Sequence, residues 1–93
     1  MKNRIDACFE KLKAENKKAL VTFITAGDPD MDTTEECVLE MYKNGSDIIE
    51  IGVPFSDPIA EGATIQKASL RSLSGGTNLD KIFDLVRKLR TQT

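Results

Sequence analysis

Histidine and tryptophan do not occur in this sequence, tyrosine occurs once and cysteine twice. The two cysteines, Cys8 and Cys37, lack CxxC spacing and have no histidine to join them, which argues against a metal site. With so few aromatic side chains and no basic stripe, nucleic-acid binding has little to work with. Neither sign of charge dominates, since 13 basic residues stand against 15 acidic ones for a net charge of −2. No apolar run approaches a membrane span, and the opening MKNRIDACFEKLKAENKK lacks the apolar core of a signal peptide. The cytoplasm is the expected compartment.

What is present is an ordinary globular composition, 40% hydrophobic and 30% charged, over 93 residues. A chain of that length makes one small domain that buries roughly 60–65% of its unfolded surface, so its stability margin is thin. Ile5, Cys8, Phe9 and Leu12 recur at i, i+3, i+4, i+7 and predict an amphipathic helix over 3–16. ALVTFIT (19–25) is short, β-branched and aromatic, hence a strand, and AGDPD (26–30) a loop. A second helix is expected at about 32–44 with Cys37, Val38, Met41 and Tyr42 on its apolar side. Asp30 or Asp32 caps its start, and Asn44-Gly45 stops it. Both cysteines fall on apolar helix stripes and are expected to be buried free thiols.

DIIEIGV (47–53) is a second strand, apolar enough to be covered on both faces. A proline-bracketed loop, PFSDPIAEG (54–62), leads to a short helix over 63–73 that ends at Gly75-Gly76. Thr77 and Asp80 suggest a capping box for a last helix through Leu79, Ile82, Phe83, Val86 and Leu89, with Asp84 and Lys88 as an i,i+4 pair. Two strands joined by a helical crossover of about twenty residues should run parallel. Two such strands leave unpaired edges and an uncovered face, so the pattern reads as the beginning of a larger α/β unit.

One residue is out of keeping with its strand. Glu50 lies among Ile48, Ile49, Ile51 and Val53, where an ionised carboxylate without a partner is expensive. Burial raises a carboxyl pKa towards the range that general acid–base chemistry needs. Alternatively, Glu50 lies at a strand end, pairs with a Lys or Arg, or faces solvent. Periodicity leaves both readings open. Active sites of parallel α/β proteins lie beyond the carboxyl ends of the strands, and the loop there carries Asp57 and Glu61 among Pro54, Pro58 and Gly62. Each loop acid, taken alone, also reads as a surface charge, and Asp57-Pro58 as a turn.

The stretches IEIGVPFSDPIAEGATIQ and FITAGDPD resemble the signature and the first strand of the tryptophan synthase alpha subunit family. The likeness spans nearly all 93 residues in the same order. It implies a TIM (β/α)8 barrel, of which residues 1–93 would form a single partial domain holding an N-terminal helix and the first two βα units. It implies a lyase of tryptophan biosynthesis, which splits indole-3-glycerol phosphate into indole and glyceraldehyde 3-phosphate by a retro-aldol step without a cofactor. Indole would pass to a beta subunit that uses pyridoxal phosphate, in an alpha-beta-beta-alpha heterotetramer. By the same resemblance Glu50 and Glu61 are the catalytic acids, Phe23 lines the substrate pocket, and Pro54 and Asp57 meet the beta subunit.

The sequence departs from the family motif at two places. The motif reads A-D-G-P-T where this chain has Ala60-Glu61-Gly62-Ala63-Thr64. Glu for Asp moves the carboxylate by about a bond length, and misplacement of roughly 1 Å can cost on the order of 100-fold in rate. Ala63 for Pro loosens the helix start, where proline pre-sets φ. Barrel enzymes commonly hold phosphate with the loops after strands 7 and 8. Nothing among these 93 residues corresponds to those loops, so this segment is expected to be inactive alone. The competing readings are a non-catalytic module that binds the beta subunit and a non-functional truncated gene product.

Overall fold

Two five-residue strands, β1 (Val21–Thr25) and β2 (Ile48–Gly52), pair in parallel in a computed structural model that describes residues 3–55 and 62–93. Val21 stands opposite Ile48, Phe23 opposite Glu50 and Thr25 opposite Gly52. Helix α1 (Arg4–Ala14) precedes β1, α2 (Met31–Lys43) crosses between the strands, and α3 (Ala63–Ser74) and α4 (Leu79–Leu89) follow. These bounds match the hydrophobic periodicity to within about two residues. The parallel pairing follows from the intervening helix, since a crossover of that length cannot form a tight hairpin.

The strands are tied together at both ends. At the start, Leu20 N–H donates to Asp47 Oδ2 at 2.8 Å, while the Asp47 N–H donates to Leu20 O at 2.9 Å. Beside them the Thr22 and Ser46 hydroxyls lie 2.8 Å apart. At the far end Ala26 N–H donates to Gly52 O at 2.9 Å. Register is thus set by side chains as well as by the ladder, which matters because a one-residue slip would exchange the two faces.

Among the described residues one face of this sheet is packed against helices, and the other is open except at Thr25. Val38 from α2 and Leu85 and Leu89 from α4 form the buried cluster, with Ile24, Ile49 and Ile51 packed against it. Each fully buried side chain of the cluster stabilises the fold by about 1.5–3 kcal/mol relative to an exposed one, and the half-buried isoleucines by less. The opposite face carries Val21, Phe23 and Glu50, all exposed. The expectation that β2 is covered on both faces is therefore not met here. Apolar content reported what the strand can bury, whereas burial depends on what packs against it.

Other expectations need correction for related reasons. Cys8 is half-buried and Cys37 exposed, both free, because neither helix turns its whole apolar stripe inward. In α1 only Leu12 is buried, and Ile5 and Phe9 stay exposed. In α4 Leu85 takes the inward place, and Phe83 faces out. Thr77 and Asp80 form no capping box. Asn78 caps α4 by accepting from Lys81 N–H at 2.9 Å. Asp84 pairs with Arg87 at 2.9 Å, which frees Lys88 to reach Glu35 on α2 at 3.0 Å.

The turn after β1 is built around an absent side chain. Gly27 has φ +80°, the left-handed region that disfavours any Cβ. A Cβ there would also lie 2.6 Å from Ser72 Oγ and 3.1 Å from Thr77 Cβ, in addition to meeting the Thr77 hydroxyl. Its N–H donates to the fully buried Thr34 hydroxyl at 2.9 Å. Asp30 caps α2, accepting from Thr33 N–H at 2.7 Å. That backbone bond, followed by the Thr33 side chain, holds the Asp30 carboxyl below its ordinary value of 3.8.

Two outcomes are expected. Gly27→Ala should lower stability by at least about 2 kcal/mol, read as an earlier denaturant midpoint, since both backbone strain and collision oppose it. Because folding depresses the Asp30 pKa, its stabilisation is present above the unfolded value and lost as pH falls through the folded one. Between about pH 5 and pH 2 the midpoint of Asp30→Asn should therefore change less steeply than that of the parent chain.

Candidate active site

Alternation along the strands gathers the residues in question. Side chains opposite one another in a parallel ladder share a face, about 4.8 Å apart between strands. Phe23 and Glu50 are such a pair. Glu50 is the central residue of β2 and is exposed, and no cation pairs with it among the described residues. Of the alternatives open in the sequence, the described residues show a carboxylate facing solvent. Phe23 retains 46% of its surface accessible beside it.

Gly52 brings these two together. The Phe23 ring leans across β2, so that a Cβ on Gly52 would come within 2.5 Å of Phe23 Cζ and 2.7 Å of Cε2. A glycine inside a strand signals such a close approach, and the Glu-Ile-Gly order carried that signal unread. With no side chain at 52, the aromatic ring and the Glu50 carboxylate border one open patch of the sheet. Pro54, two residues beyond β2, is buried. Asp57 and Glu61 lie outside the described residues.

The loop after β1 is fastened by contacts that were not legible in the sequence. Arg71 on α3 grips Asp28 with two hydrogen bonds, Nε to Oδ1 at 2.7 Å and Nη2 to Oδ2 at 2.9 Å. The bond to Asp28 raises the already high pKa of Arg71 further. Next to it the fully buried Ser72 hydroxyl donates to Ala26 O at 2.5 Å. At the other end of α3 the cap, Gly62, supplies no side-chain hydrogen bond, and Ala63 is exposed.

A separate cleft of about 650 Å³ opens on the other side, lined by Ile5, Leu12, Tyr42, Ile49, Val86 and Leu89 among others. Neither Glu50 nor Phe23 borders it. It lies beside the amino end of β2, whereas ligands of parallel α/β folds sit towards the carboxyl ends of the strands. The Phe23–Glu50 patch is therefore the better candidate for chemistry.

The role of Gly52 can be checked directly. Gly52→Ala should turn the Phe23 ring to another rotamer, visible in a crystal structure of the variant. Stability should change by less than about 1 kcal/mol, because the displaced ring end is flexible and half-exposed.

The family profile described as "Tryptophan synthase alpha chain" matches residues 9–93. A tryptophan synthase alpha chain from Geotalea uraniireducens (strain Rf4) is 58% identical over 91 residues, covering 98% of this chain and 34% of that protein. The crystal structure of tryptophan synthase subunit alpha from Legionella pneumophila str. Paris superposes with a TM-score of 0.96 at 44% identity, over all of this chain and 36% of that one. A tryptophan synthase complex from Pyrococcus furiosus aligns with a TM-score of 0.76 at 40% identity, over 81% of this chain and 31% of that one. This chain thus spans about a third of the length of the relatives it matches, and its helices and two parallel strands are part of a β/α barrel. It belongs to the tryptophan synthase alpha chain family.

Proposed function

We propose that these residues contribute the acid–base centre of a lyase that splits indole-3-glycerol phosphate into indole and glyceraldehyde 3-phosphate, in the biosynthesis of tryptophan. The observation that carries this reading is Glu50, an exposed carboxylate at the centre of β2, sharing an open sheet face with Phe23. It stands three residues before the Val53-Pro54-Phe55-Ser56-Asp57-Pro58 run that resembles the family signature. A carboxyl on a strand is held by the ladder and is better placed than one on a loop for repeated proton transfer.

The chemistry needs one group that first gives and then takes a proton. In this reading Glu50 protonates indole C3, leaving the ring as an indoleninium cation. It then accepts the proton of the adjacent glycerol hydroxyl. The carbon–carbon bond breaks as the aldehyde carbonyl forms, and its electron pair restores the aromatic indole. Protons and charge balance, and Glu50 returns to its starting state. Glu61 would engage the indole N–H, offsetting the cation, and Phe23 would stack against the ring.

The reaction uses no cofactor. Pyridoxal phosphate belongs to a beta subunit, which would dock against the segment holding Pro54 and Asp57 in an alpha-beta-beta-alpha assembly in the cytoplasm. The activity is proposed for a complete barrel, in which the loops after strands 7 and 8 commonly hold phosphate.

The reading is tested in the complete alpha chain that carries these residues, by following indole release from indole-3-glycerol phosphate. Glu50→Gln should cut the rate roughly 100- to 10,000-fold with the fold intact by circular dichroism. Full activity in that variant would remove Glu50 from the mechanism.

A further inference from the structure

Helix α3 is gripped at its C-terminal end. Its buried residues, Ala68, Ser69 and Ser72, run from the middle of the helix to its last turns, where Arg71 grips Asp28. Ala63 and Thr64 at the other end are exposed, and a Cβ on Gly62 would meet nothing within 4 Å. We propose that Arg71, paired with Asp28 and backed by Ser72, is a positioning residue: it aims α3 and thereby sets the wall beside the Phe23–Glu50 patch.

Lever-arm arithmetic shows why a remote pair can matter. Nine residues separate Ala63 from Ser72, roughly 13 Å along a helix. A tilt of about 5° at the fastened end then moves the start of α3 by roughly 1 Å, and such a shift can cost on the order of 100-fold in rate. The fork matters as much as the charge. Two parallel bonds fix both the distance and the rotation of Arg71 relative to the loop, whereas lysine offers a point charge that fixes distance alone. Asp28 in turn sits in the turn pinned by Gly27 and Thr34, so the grip is made on a rigid partner. Its carboxylate side chain is only 17% exposed, against 56% for Arg71, so the anchored member is the acid.

This inference rests on the proposed lyase reading, and its test keeps the two apart. In the complete alpha chain, steady-state indole release is measured for the parent, Arg71→Ala, Arg71→Lys and the reversed pair Asp28→Arg with Arg71→Asp. Arg71→Ala should lower kcat about 10- to 100-fold while KM stays within about threefold, with circular dichroism unchanged. Arg71→Lys should recover part of the loss, and the reversed pair should recover more than the sum of its single changes allows. Should Arg71→Ala fail to fold, the comparison of Arg71→Lys with the parent carries the test, an unchanged kcat in the lysine variant overturning the proposal. An unchanged kcat in Arg71→Ala, or a loss that appears only in KM, overturns it also. A parent chain that releases no indole would overturn the lyase reading itself.

Discussion

The space left by the missing side chain of Gly27 is where the segments around the site converge. The end of β1, the start of α2, the end of α3 and the link to α4 all reach it, through Ala26, Thr34, Ser72 and Thr77. Hydroxyl groups fill that junction where a hydrophobic core would have placed methyls, and each is satisfied by a backbone partner or held against the glycine. Packing of this kind is directional. It fixes how α2 and α3 lie about the strand ends, which apolar contact alone leaves free to slide.

From this junction the two faces of the sheet diverge. One face supplies cohesion, through Ile24, Ile49 and Ile51 against Val38, Leu85 and Leu89. The other is left open where Phe23 and Glu50 stand side by side. Strand alternation makes such a division available at no extra length, because a five-residue strand offers two or three positions to each side. The absence of a side chain at Gly52 then lets the aromatic ring cross from one strand to its neighbour.

Much of this was legible in the amino-acid order. Helix and strand positions followed from periodicity, and the stops at Asn44-Gly45 and Gly75-Gly76 are realised with Gly45 and Gly76 at positive φ. What escaped had physical reasons. Thr77 and Asn78 are both good caps, and the acidic residue three beyond Thr77 pointed to the wrong one. Lys88 had an acid on its own helix at 84, yet it reaches Glu35, a partner that sequence spacing cannot rank. Asp28 and Arg71 are 43 positions apart, so their pairing belongs to the tertiary structure alone. Cys8 and Cys37 mark the limit of reading burial from a stripe, since a stripe says which side is apolar and not whether anything covers it.

Glu50 shows a separation in time and energy that the strand pattern had obscured. Within these two βα units the carboxylate stays hydrated, so forming the β1–β2 pair bears none of the penalty for removing a charge from water. That penalty falls due only when other parts of a barrel close over the same face. A carboxylate at the centre of a strand is therefore not in conflict with strand pairing inside this unit. A strand can thus carry a carboxylate at its centre and still pair without hindrance.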